Sequence, residues 1–182
     1  TLFVDDSQPQ TTAEVMRQCE RLKSTAGRLD FVIGDHLRLF SDRADNETHR
    51  LGAISWGWKQ AANRLGTRCL LAAQLNRGVE MQKDQRPDLK DLRDSGEIEE
   101  NADNVIALFR ESYYKDGAQS IAEFISRKAR DGERNSRARF FFVEEYISFE
   151  KLAQEPTNGH KKPTPKHPSD DTPERRIYGV HD

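Results

Sequence analysis

Hydrophobic and polar positions along the first part of the chain follow two periods in turn. Leu2–Val4 is a short apolar run. The segment Thr11–Glu14 then resembles a capping box, and the apolar positions after it fall on one helical face until Gly27, which is placed to end the helix. Leu29–Ile33 is a compact apolar run typical of a buried strand. The pattern predicts strand, helix, strand.

The same alternation continues through residues 47–73. Residues 47–65 return to helical spacing, and Arg68–Ala73 is a second run typical of a buried strand. Strands that alternate with helices favour parallel crossover connections. The predicted helical stripe is Leu51, Ile54, Trp58, Ala61 and Leu65.

The third part of the chain predicts strands without intervening helices. A polar, basic connection from Asn76 to Asn101 is long enough to expect a functional loop. Three strand candidates follow, and their short connections predict hairpins added at one edge of the sheet. The fold class is therefore α/β, with a mostly parallel central sheet flanked by helices and with added C-terminal antiparallel strands. The three candidates are Val105–Phe109, Ser120–Ile125 and Ala138–Val143.

Composition separates the last 30 residues from the rest. Residues 153–182 hold five of the seven prolines and three of the five histidines, with few apolar residues, so we predict a disordered tail. No apolar stretch is long enough to predict a membrane helix. Cys19 and Cys69 stand singly, as small core residues in a reducing compartment do. Because the net charge is −2, nucleic-acid binding would need a local basic patch.

Two polar residues follow predicted strands. Asp35 closes the run Phe31–Gly34, and in P-loop ATPases an acid at such a strand end helps to hold Mg²⁺ on the nucleotide phosphates. An ordinary turn aspartate is the alternative. Gln74 comes just past Arg68–Ala73, and a side-chain amide at this place can contact a phosphate or an attacking water. The alternative is an ordinary surface glutamine.

Two charged segments are candidate phosphate ligands. In Arg86–Glu99, the backbone amides and Arg93 could follow a phosphodiester chain, or the segment is a solvated loop. In Arg127–Gly132, the forked guanidinium of an arginine suits the negative charge that develops on a phosphoryl group during its transfer. The alternative is a basic hairpin that keeps an edge strand soluble. The sequence contains no Gly-x-x-x-x-Gly-Lys-Ser/Thr. The nearest approach, Gly52–Lys59, has a tryptophan in the lysine position and lies within the predicted helix.

Taken in order, these pieces resemble the C-terminal ATPase domain of the hexameric replicative DNA helicases of the DnaB type. The resemblance covers about Leu2 to Leu152 and implies a partial RecA-like ATPase domain over residues 1–152, without the portion that carries the phosphate loop. The matching motifs are Asp30–Leu39, Ala73–Glu80, Arg86–Gly96 continued by Ile98–Asp103, Lys128-x-Arg130-x-Gly132 and Phe149–Leu152.

The resemblance implies roles for particular residues. Asp35 matches the aspartate that coordinates Mg²⁺, and Gln74 matches a glutamine that couples the nucleotide site to the DNA-facing loops. Lys128 and Arg130 match the basic pair that one subunit inserts into the ATP site of its neighbour. Arg93, Asp94 and Gly96 match the loop that contacts single-stranded DNA.

The sequence also departs from the family pattern at three positions. His36 and Arg38 replace the usual Tyr and Gln, and Asp94 replaces a usual Glu. The shorter acid at position 94 keeps the charge but has less reach.

The implied function is part of a replicative helicase. Such a protein uses ATP and Mg²⁺ to translocate on single-stranded DNA and unwind duplex at the fork, as a cytoplasmic homo-hexamer with helicase loader and primase as further candidate partners. The chain lacks the phosphate loop and the catalytic glutamate, so we expect it to be inactive alone. One alternative is a shortened, non-catalytic relative that binds helicase subunits or DNA. Another is a metal-dependent nuclease that uses Asp5, Asp6 and Asp35.

Overall fold

The computed structural model of the protein describes residues 1–7, 10–92 and 96–152, together with the backbone of residues 177–179. The helices are α1 Thr12–Ala26, α2 Glu47–Leu65 and α3 Gly96–Asn101. The strands are β1 Leu2–Val4, β2 Phe31–Gly34, β3 Arg68–Leu71, β4 Asn104–Arg110, β5 Ile121–Ala129, β6 Arg137–Val143, β7 Ser148–Lys151 and β8 Ile177–Gly179.

Helix α1 begins and ends where the sequence predicts. The Thr11 hydroxyl accepts a hydrogen bond from the Glu14 amide at 3.3 Å, and the Glu14 carboxylate accepts one from the Thr11 amide at 2.7 Å. This capping box satisfies donors that the first helical turn leaves free. The helix ends at Gly27, whose φ of 77° lies in the left-handed region that glycine adopts without steric cost.

The first core lies between helix α2 and the parallel pair β2–β3. Strand β2 pairs with β3 in the register Val32 to Cys69 and Ile33 to Leu70. Val32 and Cys69 pack against the buried cluster, whereas Ile33 and Leu70 point to the other face and are 63% and 49% exposed. All five positions of the predicted α2 stripe are buried. One face of the strand pair is therefore covered and the other is bare and apolar.

The remaining large element is an antiparallel sheet in the order β4-β5-β6-β7. A second small core of Ala107, Phe109 and Ile125 lies on one of its faces. The predicted hairpins are confirmed, but they form the larger sheet among the described residues instead of an addition to a mostly parallel one. Strands β4 to β7 follow one another without an intervening α-helix, which suits antiparallel pairing, whereas β2 and β3 are joined by α2.

The last described strand lies within the segment predicted to be a disordered tail. Ile177–Gly179 forms β8 and pairs in parallel with β1, with Phe3 opposite Tyr178. For these three residues the structure therefore differs from the predicted tail. Residues 153–176 and 180–182 lie outside the described part of the chain. In the described residues, no helix has the length and apolar content needed to cross a bilayer.

Candidate functional site

Asp35 and Gln74 lie at the same edge of the parallel pair. Gly34 is opposite Leu71 at the ends of β2 and β3, so Asp35 directly follows one strand end and Gln74 comes three residues after the other. Both side chains are exposed. The carboxyl edge of parallel strands is where α/β proteins bind ligands. Two of the predicted site residues therefore come together at this edge.

Backbone hydrogen bonds fix the path of both chains beyond this edge. The Ala72 amide donates to the Gly34 carbonyl at 2.9 Å, and the Leu37 amide donates to the Ala72 carbonyl at 2.9 Å. The peptide bond between Asp35 and His36 is cis. Asp35 is thus an exposed carboxylate on a well-tied backbone, ready to accept a ligand from solvent.

The chemistry of this edge suits a magnesium ion that arrives with phosphates. Mg²⁺ usually binds through one or two carboxylates, several waters and the phosphates of its nucleotide. Asp35 supplies one such carboxylate, and the described residues contain no group of three or more metal-ligating side chains that would hold a metal by themselves. The residues present therefore fit Mg²⁺ held jointly with a nucleotide.

The nuclease alternative finds no matching geometry. Asp5 is engaged locally, because its carboxylate accepts hydrogen bonds from the Ser7 hydroxyl at 2.6 Å and from the Gln10 side chain at 3.0 Å. The bond from Ser7 is the main cause that lowers the pKa of Asp5. Two-metal hydrolysis needs carboxylates that converge on a pair of ions. In the part of the chain that the structure describes, no such convergence of Asp5, Asp6 and Asp35 is present.

Lys128 and Arg130 lie at and just beyond the end of β5, and both are engaged within the chain. The Lys128 ammonium donates to the backbone carbonyls of Glu99 at 2.6 Å and Glu100 at 3.2 Å. Arg130 forms an ion pair with Asp103 at 2.5 Å, and its side chain is 57% exposed. Its partner is therefore not Asp35.

Asp103 is the centre of a charge cluster that the sequence analysis missed. Lys59 of α2 also binds its carboxylate, and this hydrogen bond is the main cause that lowers the pKa of Asp103. The Arg130 amide donates to the Asp103 carbonyl at 3.0 Å, so backbone and side chain hold Arg130 in one place. Asp103 closes the motif Ile98–Asp103, but nothing in its spacing pointed to either cation.

The segment before the predicted DNA loop is held by internal contacts over residues 86–92, although Asp88 and Lys90 within it are exposed. Pro87 and Asp91 are buried, and the Asp91 carboxylate accepts from the Asp88 amide at 2.8 Å and from Gln82 at 2.7 Å. Leu75 bridges to Leu92, and the Asn76 amide donates to the Asp91 carbonyl at 2.8 Å. These bonds tie the chain that leaves Gln74 to the segment that leads into the loop.

Arg86 anchors this segment to the antiparallel sheet. Its guanidinium donates two hydrogen bonds to Glu123 of β5, at 2.8 and 3.0 Å, and lies over the Phe109 ring at 4.6 Å from its centre. The Glu123 side chain is 8% exposed. The pKa of Glu123 is lowered mainly by the hydrogen bonds from Arg86, and the same bonds raise the pKa of Arg86. A carboxylate within the otherwise apolar run Ile121–Ile125 was the available sequence signal.

The predicted DNA-contacting residues are described only in part. Gly96 begins α3 and is exposed. Arg93 and Asp94 lie outside the described residues. The structure therefore brings Asp35 and Gln74 to one edge and Lys128 and Arg130 to one strand end, and it places Gly96 at the start of the helix whose last carbonyls contact Lys128.

These features define an α/β protein of the RecA-like class. The family model described as DnaB-like helicase C terminal domain matches residues 1–151. The chain belongs to this family.

Individual relatives agree with this assignment. The chain is 34% identical over 158 residues to the replicative DNA helicase DnaB of Haemophilus influenzae and 35% identical over 156 residues to the replicative DNA helicase DnaC of Bacillus subtilis. These alignments cover 85% and 83% of this chain but 34% of each relative. The chain thus spans about a third of the length of the curated relatives that it matches.

Two solved structures are similar to the chain over most of its length. One, described as an ATPase domain, superposes with a TM-score of 0.74 at 32% identity, covering 79% of this chain and 52% of that domain. A DnaB-like replicative helicase, described together with its interactions with primase, superposes with a TM-score of 0.72 at 32% identity. That match covers 81% of this chain and 36% of the other.

Proposed function

We propose that this chain supplies part of the ATPase domain of a replicative DNA helicase, which hydrolyses ATP to move along single-stranded DNA and separate the duplex. The observation that carries the proposal is the pair Asp35 and Gln74 at the carboxyl edge of β2 and β3, in a chain of the DnaB-like family. Duplex unwinding, a hexameric ring, a cytoplasmic setting, and primase or a loader as partners belong to the same proposal.

The proposed role of each residue follows from the exposure of its side chain. Asp35 would hold Mg²⁺ on the phosphates of the subunit's own ATP, and the ion would supply charge neutralisation during phosphoryl transfer. Gln74 would contact the phosphate end of the nucleotide. A change in that contact would be transmitted through Leu75 and Asn76 to Asp91 and Leu92, which are bonded to them. Arg93, Asp94 and Gly96 would contact the DNA backbone.

Arg130 and Lys128 would serve the nucleotide of the neighbouring subunit. Arg130 is more than half exposed, and its partner Asp103 is bound by Lys59 as well. Asp103 therefore keeps one cation if Arg130 leaves to meet a phosphate. An arginine supplied across a subunit interface is worth about 10³–10⁵ in rate in other phosphoryl-transfer enzymes.

A chimera tests this proposal. Residues 1–152 of this chain would replace the matching part of the replicative DNA helicase DnaC of Bacillus subtilis, to which the chain is 35% identical. ATP hydrolysis would be measured with and without single-stranded DNA. We expect the chimera to hydrolyse ATP, and we expect Asp35→Asn and Arg130→Ala each to lower the rate by at least about 10²-fold. With Gln74→Ala, we expect hydrolysis that DNA no longer stimulates.

Matched controls come from an exposed ion pair just before β2, at the end of the strand opposite Asp35. Arg28 and Asp30 pair at 2.7 Å with side chains that are 80% and 69% exposed. Arg28→Ala and Asp30→Asn in the same chimera should leave hydrolysis within about twofold, because exposed pairs contribute little. If Asp35→Asn or Arg130→Ala did no more than these controls, the proposed roles would be wrong.

One observation favours a second candidate, the non-catalytic relative that binds helicase subunits or DNA. The bare apolar face of β2–β3, which includes Phe31 at 48% exposed and Ile33 at 63%, is suited to contact with another polypeptide. The chimera separates the two candidates. A folded chimera that binds a helicase subunit but never hydrolyses ATP would favour the second.

A further inference from the structure

Lys128 has a contact that its predicted role at a neighbouring nucleotide does not use. It lies on β5 opposite Val105, and its ammonium donates to the carbonyls of Glu99 and Glu100 at 2.6 and 3.2 Å. These are among the last carbonyls of α3, which ends at Asn101. The final carbonyls of a helix have no partner within it, and a lysine there satisfies them and complements the helix dipole.

Helix α3 needs such outside support because it is only six residues long. Helices this short are not stable by themselves. The contacts between α3 and α2 include the burial of Ile98 in the core cluster around Leu51 and the bond from the Asn101 amide group to the Ser55 hydroxyl at 2.8 Å. The contact from Lys128 ties α3 to β5 instead.

Strand β5 also holds the chain on the other side of residues 93–95. The side chain of Arg127, next to Lys128, donates to the Pro87 carbonyl at 2.6 Å and is 12% exposed. Adjacent residues of one strand therefore bind the segment before the predicted DNA contacts and the helix that begins at Gly96. Arg130, two residues further on, is the proposed finger.

We propose that Lys128 is a positioning residue, which holds α3 and with it Gly96 in place for DNA through the carbonyls of Glu99 and Glu100. This inference rests on the proposed function, because it gives Gly96 the DNA backbone as its ligand. Arg127 fixes the Pro87 side in the same way. The end of β5 then connects the finger to the DNA-contacting segment, so displacement of one shifts the other.

The test compares Lys128→Met, Lys128→Arg and the matched control Lys151→Met in the full chain. Lys151 is an exposed lysine on β7 of the same sheet. Amide hydrogen exchange is measured in α3, together with the affinity for a fluorescein-labelled oligothymidine. We expect Lys128→Met to raise exchange at Ala102 about fivefold and to weaken binding by a similar factor, which corresponds to one net hydrogen bond.

The conservative variant and the control should behave like the parent chain. Lys128→Arg keeps a donor that reaches the same carbonyls, so both exchange and affinity should return to within about twofold of the parent. Unchanged α3 exchange in Lys128→Met would overturn the proposal. An equal loss of affinity in Lys151→Met would overturn it as well, because net charge alone would then account for binding.

Two further arms keep the outcome decisive. If Lys128→Met unfolds, Lys128→Ser replaces it, because its side chain is polar but too short to reach the carbonyls of Glu99 and Glu100, and unchanged α3 exchange again overturns the proposal. Arg93→Ala tests the proposed function separately. If that variant leaves DNA affinity unchanged, the assignment of DNA contact fails, while the exchange at Ala102 still decides whether Lys128 positions α3.

Discussion

At the scale of single residues, the buried carboxylate of Glu123 is paired with Arg86. Glu123 is nearly enclosed, accepts two hydrogen bonds from Arg86, and has Arg137 and Arg139 within 3.8 and 3.9 Å. Removal of one partner of a buried pair costs far more than the pair contributes, because the remaining charge keeps its desolvation penalty. This contact fixes the segment that leads to the predicted DNA loop.

We therefore expect Glu123→Gln to lower the free energy of unfolding by about 1–3 kcal/mol at pH 7, measured by urea denaturation. The matched control is Glu133→Gln in the exposed turn between β5 and β6. This variant should change the free energy of unfolding by less than about 0.5 kcal/mol. Equal effects of the two variants would show that the buried pair does not hold the sheet to the segment.

The same pair predicts a pH dependence. The pKa of Glu123 lies below its ordinary 4.5 in the folded chain, mainly because of Arg86. A carboxyl with a lowered folded pKa stabilises the fold above its unfolded pKa, and that contribution is lost as pH falls through the folded pKa. The parent chain should therefore lose more stability than Glu123→Gln as pH falls from about 5 to 3. Parallel pH profiles would contradict this.

At the scale of elements, the contact between α2 and α3 depends on a glycine. A Cβ atom at Gly52 would overlap the Glu97 carboxylate and lie 2.8 Å from the Glu97 Cβ. The carboxylate can swing away, but the Glu97 Cβ can move only if α3 itself moves. Gly52 is thus required for the close approach of the two helices.

We expect Gly52→Ala to destabilise the chain by about 1–3 kcal/mol, despite a gain of about 1 kcal/mol in helix propensity. Gly78→Ala is the control, because its Cβ would meet only the Asn76 side chain at an ordinary 3.8 Å. The free energy of unfolding of both variants is measured by urea denaturation. A stabilised Gly52→Ala chain would show that α3 adjusts freely and is not fixed by this contact.

The elements also show where sequence reasoning succeeded and where it could not. Helices α1 and α2 were predicted closely because local signals decide them, such as the Thr11 capping box and the apolar stripe of α2. The placement of Asp35 and Gln74 at one edge of the sheet could be predicted because strand ends are readable from apolar runs. The short α3 and the partner of Arg130 were missed. Asp103 meets Arg130 and Lys59 only through tertiary packing.

At the scale of the whole molecule, apolar surface is unevenly distributed. Ile33 and Leu70 lie side by side on the bare face of β2–β3, while Val32 and Cys69 on the other face are packed. Burial raises the pKa of the Cys69 thiol to about 11, so it behaves as a core side chain. Parallel strands are usually covered on both faces.

The bare face should bind a hydrophobic dye. We expect the chain to enhance ANS fluorescence, and Ile33→Thr combined with Leu70→Thr to reduce that enhancement while unfolding free energy changes by less than about 1 kcal/mol per site. Met81→Thr is the control, because Met81 is 90% exposed but lies outside β2 and β3. Dye binding that survives the double variant would locate the apolar surface elsewhere.

The central claim is that Asp35 and Arg130 of one subunit serve two different ATP molecules, and mixing two inactive chimeras tests it most directly. In a ring of Asp35→Asn and Arg130→Ala subunits, an Arg130→Ala subunit that keeps Asp35 can receive the finger of an Asp35→Asn neighbour. Random mixing should then restore about a quarter of the parent ATPase rate, since each site needs one particular neighbour. If both variants are inactive alone and the mixture stays inactive, the two residues act within one subunit and the account is wrong.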